Sequence, residues 1–282
     1  MKKIIVVICS LLIGLSACVR DCPKDRRMVV ASYNLRFNNP DDSINAWPNR
    51  KAWVRDLIRF HNFELFGTQE GLIDQIAYLA EMEEYDYTGV GRDDGKTAGE
   101  HSAIFYKKER FELLDKGDFW LSETPDEPSF GWDALKHKRI CSWAKLKDKH
   151  TQKEFFFFSV HYDHQGQVAR VESSKLILKK IDETAKGFPV IFVGDLNSRP
   201  DSEAIAILDK QLNDAYKITK TLPYGPEGTT NSFNWDKTGT SRIDYIYVTD
   251  DIDVLKYGCL TDSKEKRYPS DHFPITATIV MN

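Results

Sequence analysis

Cysteine is scarce in this chain, five residues in 282, and glycine (16) and proline (11) are sparse too. So few cysteines exclude a disulfide-dense scaffold, and the glycine and proline counts exclude collagen-like and low-complexity sequence. A surplus of one charge is also missing: 39 Lys and Arg stand against 43 Asp and Glu, a net of −4. Intrinsic disorder would need a larger imbalance and less than this 41% hydrophobic content. A protein whose main task is to hold polyanionic nucleic acid by charge would need a basic excess. No apolar run reaches the roughly 18–20 residues of an ordinary membrane span. What is present is an enzyme-sized globular chain, long enough to bury about three quarters of the surface its unfolded state exposes.

The N-terminus reads as an address. Met1-Lys2-Lys3 is followed by an almost wholly apolar stretch, Ile4 to Leu15, the basic and short hydrophobic regions of a bacterial export signal. It ends in Leu15-Ser16-Ala17-Cys18, which resembles a lipobox, the site at which a cysteine is acylated before cleavage ahead of it. The expected organisation is a signal peptide over residues 1–17, lipidated Cys18 with a polar tether over 18–27, and one domain over 28–282. The resemblance implies several acyl chains on Cys18, hence firm anchoring in the cell envelope, facing the periplasm or the exterior. Loss of residues 1–17 leaves 37 basic against 43 acidic residues, a net of −6. Cys22, Cys141 and Cys259 then remain; the latter two lie in strand-like stretches and read as packed core residues.

From Met28 onward strand and helix patterns alternate without a linker or repeat. Residues 28–33 read as a strand, and 47–61 as a helix with Trp53, Leu57, Ile58 and His61 on one side. Residues 64–67 form a short buried strand, 73–82 a helix, and 101–121 two or three antiparallel strands. Residues 139–146 and 154–161 pair around a polar turn, 168–185 form a long helix ending at Gly187, and 190–193 (VIFV) are a strand buried on both faces. Three further strands fall near 242–249, 252–260 and 274–280. Mixed strand signals with intervening helices predict an α/β sandwich whose helices lie outside the sheets.

Several strands run into polar residues that packing does not call for. The first ends at Asn34, the second at Thr68-Gln69-Glu70, the aromatic strand at His161, and VIFV at Gly194-Asp195-Leu196-Asn197. Arg242-Ile243-Asp244 opens a strand and Ser270-Asp271-His272 precedes the last one. Each block alone has a plain explanation: Gly-Asp-x-Asn as a turn, Glu70 as a helix cap, Asp271-His272 as a loop pair. Together they stand at strand ends, where ligands collect in α/β sheets.

In this order, Asn34, Gln69-Glu70, His161, Gly194-Asp195-x-Asn197, Asp244 and Ser270-Asp271-His272 resemble the endonuclease/exonuclease/phosphatase superfamily. That group includes pancreatic-type deoxyribonucleases, abasic-site endonucleases, inositol polyphosphate 5-phosphatases and bacterial sphingomyelinases. The match spans about residues 28–281, and segments around 120–125 and 131–132 resemble a bacterial lipoprotein branch. The resemblance implies a four-layer α/β sandwich, two mixed sheets face to face with helices on both outer faces. It also implies a Mg²⁺- (or Mn²⁺-) dependent phosphoester hydrolase, consistent with oxygen donors that suit a hard, hydrated cation. By resemblance Glu70 is the principal metal ligand, with Asn34 and Asp271 beside the ion or its waters. Asp195 activates water, Asn197 donates to a phosphate oxygen, His272 oriented by Asp244 stabilises phosphoryl charge, and His161 serves the phosphoryl oxygens or the leaving group.

Substrate follows less directly. The acidity, the lack of a basic stripe and the anchoring argue against stable nucleic-acid binding and for a small phosphoester or phospholipid head group. A secreted nuclease is the alternative, and a catalytically inactive binding module on the same fold is a third class. Arg139 and Trp235, on loops near the same rim, are candidate substrate contacts, whereas Arg170 reads as a helix-surface residue. A monomer is expected.

Overall fold

The computed structural model describes residues 26–236, 239 and 241–282, so Cys18, Cys22 and the expected signal and tether lie largely outside the described residues. Twelve strands form two mixed six-stranded sheets. The first contains β1 (Met28–Asn34), β2 (Leu65–Gln69), β3 (Tyr85–Thr88), β4 (Ile104–Lys107), β11 (Ile252–Cys259) and β12 (Ile275–Met281), in the order β11-β12-β1-β2-β4-β3. The second contains β5 (Phe111–Trp120), β6 (Ile140–Asp148), β7 (Glu154–His161), β8 (Val190–Asp195), β9 (Asn213–Asp214) and β10 (Asp244–Val248), in the order β5-β6-β7-β8-β10-β9. Each sheet has a single parallel pair at its centre, β1 with β2 and β7 with β8, and antiparallel strands on both sides. Helix α1 (Trp47–Phe60) makes the first parallel crossover and α3 (Gln167–Thr184) the second, as parallel strands require.

Alternation along the strands assigns their faces. Met28 and Val30 of β1, Leu65 of β2, Phe155 and Phe157 of β7, and Ile191 and Val193 of β8 meet between the sheets. Their neighbours point outward. Ala31, Tyr33 and Phe66 pack with α1 and α2 (Ile73–Ala80), while Phe156, Phe158, Val190 and Phe192 pack with α3 and α4 (Glu203–Leu208). The four layers expected from the sequence are therefore present. The sheets approach closely at Gly67, where an added Cβ would lie 2.5 Å from Ser159 Oγ and 2.6 Å from Val193 Cγ2.

Some expected details differ. The buried stripe of α1 is Trp47, Arg50, Val54, Leu57 and Ile58, with Trp53 and His61 on its flank. Arg50 is buried because its guanidinium donates to the carbonyl oxygens of Leu35, Arg36, Asn45 and Pro269. The 101–121 segment is not a paired set: β4 belongs to the first sheet and β5 to the second, so the chain crosses between layers at residues 108–110. The short strands β3 and β9 had no sequence expectation. Cys141 and Cys259 are buried free thiols, as expected.

Candidate active site

The rows that face the other sheet change character along their length. On β1, Met28 and Val30 give way to Ser32 and Asn34; on β7, Phe155 and Phe157 give way to Ser159 and His161; on β8, Ile191 and Val193 lead to Asp195. The strand pairing sets Asn34 beside Gln69, His161 beside Asp195, and Asp195 beside Asp244. Polar residues thus converge at one end of an otherwise apolar interior, where burial magnifies their interactions.

Asn34, fully buried, is the bridge. Its Nδ2 donates to Glu70 Oε1 at 3.0 Å and to Asp195 Oδ2 at 3.0 Å, and its Oδ1 accepts from the Arg36 amide at 2.9 Å. Glu70 reaches this point through a left-handed backbone, φ 62°, which brings its Oε2 within 3.1 Å of the Phe37 amide. Such a conformation is uncommon outside glycine and asparagine, and costs on the order of 1–3 kcal/mol. The carboxylate serves the site and does not cap α2. Asn197, also left-handed at φ 44°, directs its Nδ2 to His161 Nε2 (3.1 Å) and to the Tyr162 carbonyl (3.0 Å), so in this arrangement it orients the imidazole.

The two histidines have opposite electrostatics. Burial drives His161 down to about 3, helped by Arg139 and Arg92 and opposed by Asp195 and Glu70, so the ring is neutral. Burial also disfavours the His272 cation, but Asp244 at 2.9 Å from Nδ1, together with Asp195 and Asp271, outweighs it and raises His272 well above its usual value. Asp195 is itself raised by burial and then by Asp244. Asp244 accepts a second hydrogen bond from Thr229 Oγ1, which fixes the carboxylate that holds His272.

Ligand atoms of Glu70, Asp195 and His272 lie within 4.8 Å of one another. Two buried or half-buried carboxylates this close repel each other, and a cation beside them relieves that repulsion. Because Asp244 keeps His272 protonated, the oxygen donors are the ones that fit a metal, as a hard divalent ion prefers. Asp271, raised by burial, has its Oδ2 3.9 Å from Arg36 Nη1.

These groups floor a cleft of about 430 Å³ that Arg36, Arg92, Glu100, Arg139, His164 and Phe37 help to wall. Arg139 lines it, with its Nη2 2.9 Å from His164 Nδ1. Trp235 does not line it; that ring stacks on Tyr268 at 5.4 Å. Phe37 is an aromatic that does line it. Arg170, expected on the helix surface, donates to the Asp163 carbonyl at 3.1 Å. Arg36, Arg92 and Glu100 had no sequence expectation. Glycines at 89, 91, 95 and 99 mark the loop that bears Arg92 and Glu100, but composition does not reveal that this loop folds over the strand ends.

A carboxylate–histidine floor beneath a cleft in such a sandwich suits the hydrolysis of phosphoesters. The chain belongs to the Endonuclease/Exonuclease/phosphatase family, whose profile matches residues 31–272. It is 44% identical to an endonuclease/exonuclease/phosphatase family protein from Bacteroides thetaiotaomicron, at a TM-score of 0.87, covering 91% of this chain and 98% of that one. It is also 44% identical to a mannosyl-6-phosphatase of the same organism, at a TM-score of 0.86, over 90% of this chain and 100% of that one. An uncharacterised protein of Acanthamoeba polyphaga mimivirus is 26% identical over 170 residues, 57% of this chain and 63% of that protein. A second uncharacterised protein of that virus is matched over 31% of its length, so the chain spans less than two thirds of either.

Proposed function

We propose that the protein is a Mg²⁺-dependent phosphomonoesterase that removes phosphate from a small, hydroxyl-rich alcohol such as a sugar, outside the cytoplasm, anchored by lipid on Cys18. The observation that carries this reading is the charge balance of the cleft. Arg36 pairs with Asp42 at 2.8 Å, Arg92 with Glu100, and Arg139 with Asp163 at 3.3 Å. Each cation has its own carboxylate, so no surplus charge is left to track a phosphate backbone, which nucleic-acid binding demands. The mannosyl-6-phosphatase relative supports the same substrate class.

The tether adds to it. β1 starts at Met28 and ends at Asn34 in the site, a rise of about 20 Å. An anchor on Cys18 would join the domain at the pole opposite the cleft, a geometry that leaves the cleft open to a dissolved substrate.

Glu70, with Asn34 and Asp271 beside it and Asp195 opposite, would hold the ion. An ion held there would supply neutralisation of phosphoryl charge and stabilisation of the leaving oxygen. Cationic His272 grips a phosphoryl oxygen, its orientation fixed by Asp244. Asp195 aligns water and accepts its proton as the water oxygen bonds to phosphorus and the bond to the alcohol oxygen breaks. His161, neutral and held by Asn197, offers hydrogen bonding without adding charge. The leaving oxygen takes a proton from solvent and Asp195 gives its own back to solvent, so the products are inorganic phosphate and the free alcohol.

The test is phosphate release by the purified protein from mannose 6-phosphate, p-nitrophenyl phosphate and bis-p-nitrophenyl phosphate, with plasmid DNA alongside. Monoester turnover that EDTA abolishes and Mg²⁺ restores is expected, with Asp195→Asn and Glu70→Gln each losing at least about 10²-fold. Plasmid nicking at physiological salt would instead make it a nuclease, and silence on every substrate a binding module.

A further inference from the structure

His101 stands just ahead of β4, paired on one side with Gly71, which follows Glu70, and on the other with Gly91, which precedes Arg92. It is buried and does not line the cleft. Its backbone N–H donates to the Gly71 carbonyl at 2.8 Å, and its ring Nδ1 lies 3.2 Å from the same oxygen. A carbonyl oxygen only accepts, so Nδ1 carries the proton, and burial disfavours a second proton on the ring.

Any residue but proline could make the backbone bond; the second donor belongs to this side chain. It falls on the residue that follows Glu70, whose left-handed φ of 62° is uncommon for a long side chain. Gly71 itself has little room to shift, since an added Cβ would lie 2.7 Å from Ile76 Cδ1 and 3.3 Å from Leu35 Cδ1. The turn that brings Glu70 Oε1 within 3.0 Å of Asn34 Nδ2 is thus held by β2 before it and by His101 after it. We infer that His101 is a positioning residue, holding Glu70 in its metal-binding geometry through the doubly bonded Gly71 carbonyl. The inference rests on the assignment of Glu70 as a metal ligand and deepens it, because groups behind a ligand set its orientation and with it the affinity for the ion. The pairing with Gly91, continued by the Arg92 amide on the Glu100 carbonyl at 3.0 Å, ties the same turn to the loop that walls the cleft.

The test is Mn²⁺ binding, read by electron paramagnetic resonance on the full-length protein without substrate, for wild type, His101→Gln and His101→Asn. An asparagine amide nitrogen falls near the Nδ1 position and keeps the bond to Gly71; the longer glutamine places its amide near Nε2 and loses it. Mn²⁺ affinity is expected to fall about 10-fold in His101→Gln and to stay within about twofold of wild type in His101→Asn. The Mg²⁺ concentration for half-maximal turnover of p-nitrophenyl phosphate should rise in step. Thermal melting confirms folding. A folded His101→Gln that binds Mn²⁺ as wild type does overturns the positioning role and leaves Glu70 standing as ligand, even at a lowered melting temperature, the mark of a purely structural histidine. An equal loss in both variants overturns it too, because the bond to Gly71 is then not the cause. A wild type that binds no Mn²⁺ overturns the ligand assignment and the positioning role together. If His101→Gln does not fold, the wild type decides: Mg²⁺ should slow solvent exchange of the His101 ring proton, seen by NMR, since such coupling is reciprocal. Unchanged exchange overturns the inference.

Discussion

Asp244 does not line the cleft, yet the charge state of His272 depends on it. Its carboxylate, 1% exposed, accepts from His272 Nδ1 at 2.9 Å and from Thr229 Oγ1. Without its negative charge only Asp195 and Asp271 oppose the effect of burial, so the His272 cation is less favoured and its grip on the phosphoryl oxygens weakens. Asp244→Asn keeps the shape and removes the charge. It is expected to lower kcat/KM by about 10²–10⁴-fold, measured on p-nitrophenyl phosphate, with circular dichroism showing a native fold. Thr229→Val, which leaves the charge in place and removes the hydroxyl that donates to Asp244 and accepts from the Ile243 and Asp244 amides, should cost less activity than Asp244→Asn. At this scale the site is a set of carboxylates whose partners differ: Asn34 for Glu70 and Asp195, Thr229 and His272 for Asp244.

At the scale of elements, the site depends on how closely two sheets approach. β2 comes so near β7 and β8 at Gly67 that a methyl group would meet Ser159 and Val193 at 2.5–2.6 Å. Three positions further along the chain the same strand delivers Glu70. Gly67→Ala should destabilise the protein by about 1–3 kcal/mol, seen as a lower urea midpoint, because both neighbours are themselves packed. Gly187→Ala makes a useful contrast. Nothing lies within 4 Å of a Cβ there, and only the φ of +81° opposes it, so a loss near 1 kcal/mol is expected. If Gly67→Ala proves as mild as Gly187→Ala, the close approach does not set the spacing between the sheets.

For the whole molecule, burial of ionisable groups couples stability to pH. His101 sits under the Gly71 carbonyl, and burial lowers its pKa. The unfolded chain takes up a proton near 6.5 that the native His101 resists. This contribution is therefore intact above about pH 6.5 and is lost progressively as the pH falls below it. His161, driven to about 3, acts in the same direction over a wider range, whereas buried Asp118 and Asp214, both raised by burial, act in the opposite one. The sign is isolated by comparing wild type with His101→Gln. The difference in unfolding free energy should be flat above pH 6.5 and shift in favour of the variant between pH 6.5 and 5. A constant difference over that interval would show that His101 protonates equally in both states.

The sequence by itself determined the layers and the strand-end residues. The unrelieved Val190–Val193 and Phe155–Phe158 runs and the polar residues at the ends of several strands are local patterns, and a period of two fixes which side chains share a face. Asn34, Glu70, His161, Asp195 and His272 were legible because each stands at the end or just ahead of a strand and because together, in this order, they resemble one family. Only the tertiary structure decided the rest. It moved the buried stripe of α1 onto Arg50 and Val54, split residues 101–121 between two sheets, left Trp235 stacked on Tyr268 outside the cleft lining, and brought the glycine-marked loop with Arg92 and Glu100 over the strand ends. Those outcomes depend on contacts between residues tens of positions apart in the chain. A local pattern carries the orientation of a side chain but not the identity of what it will face.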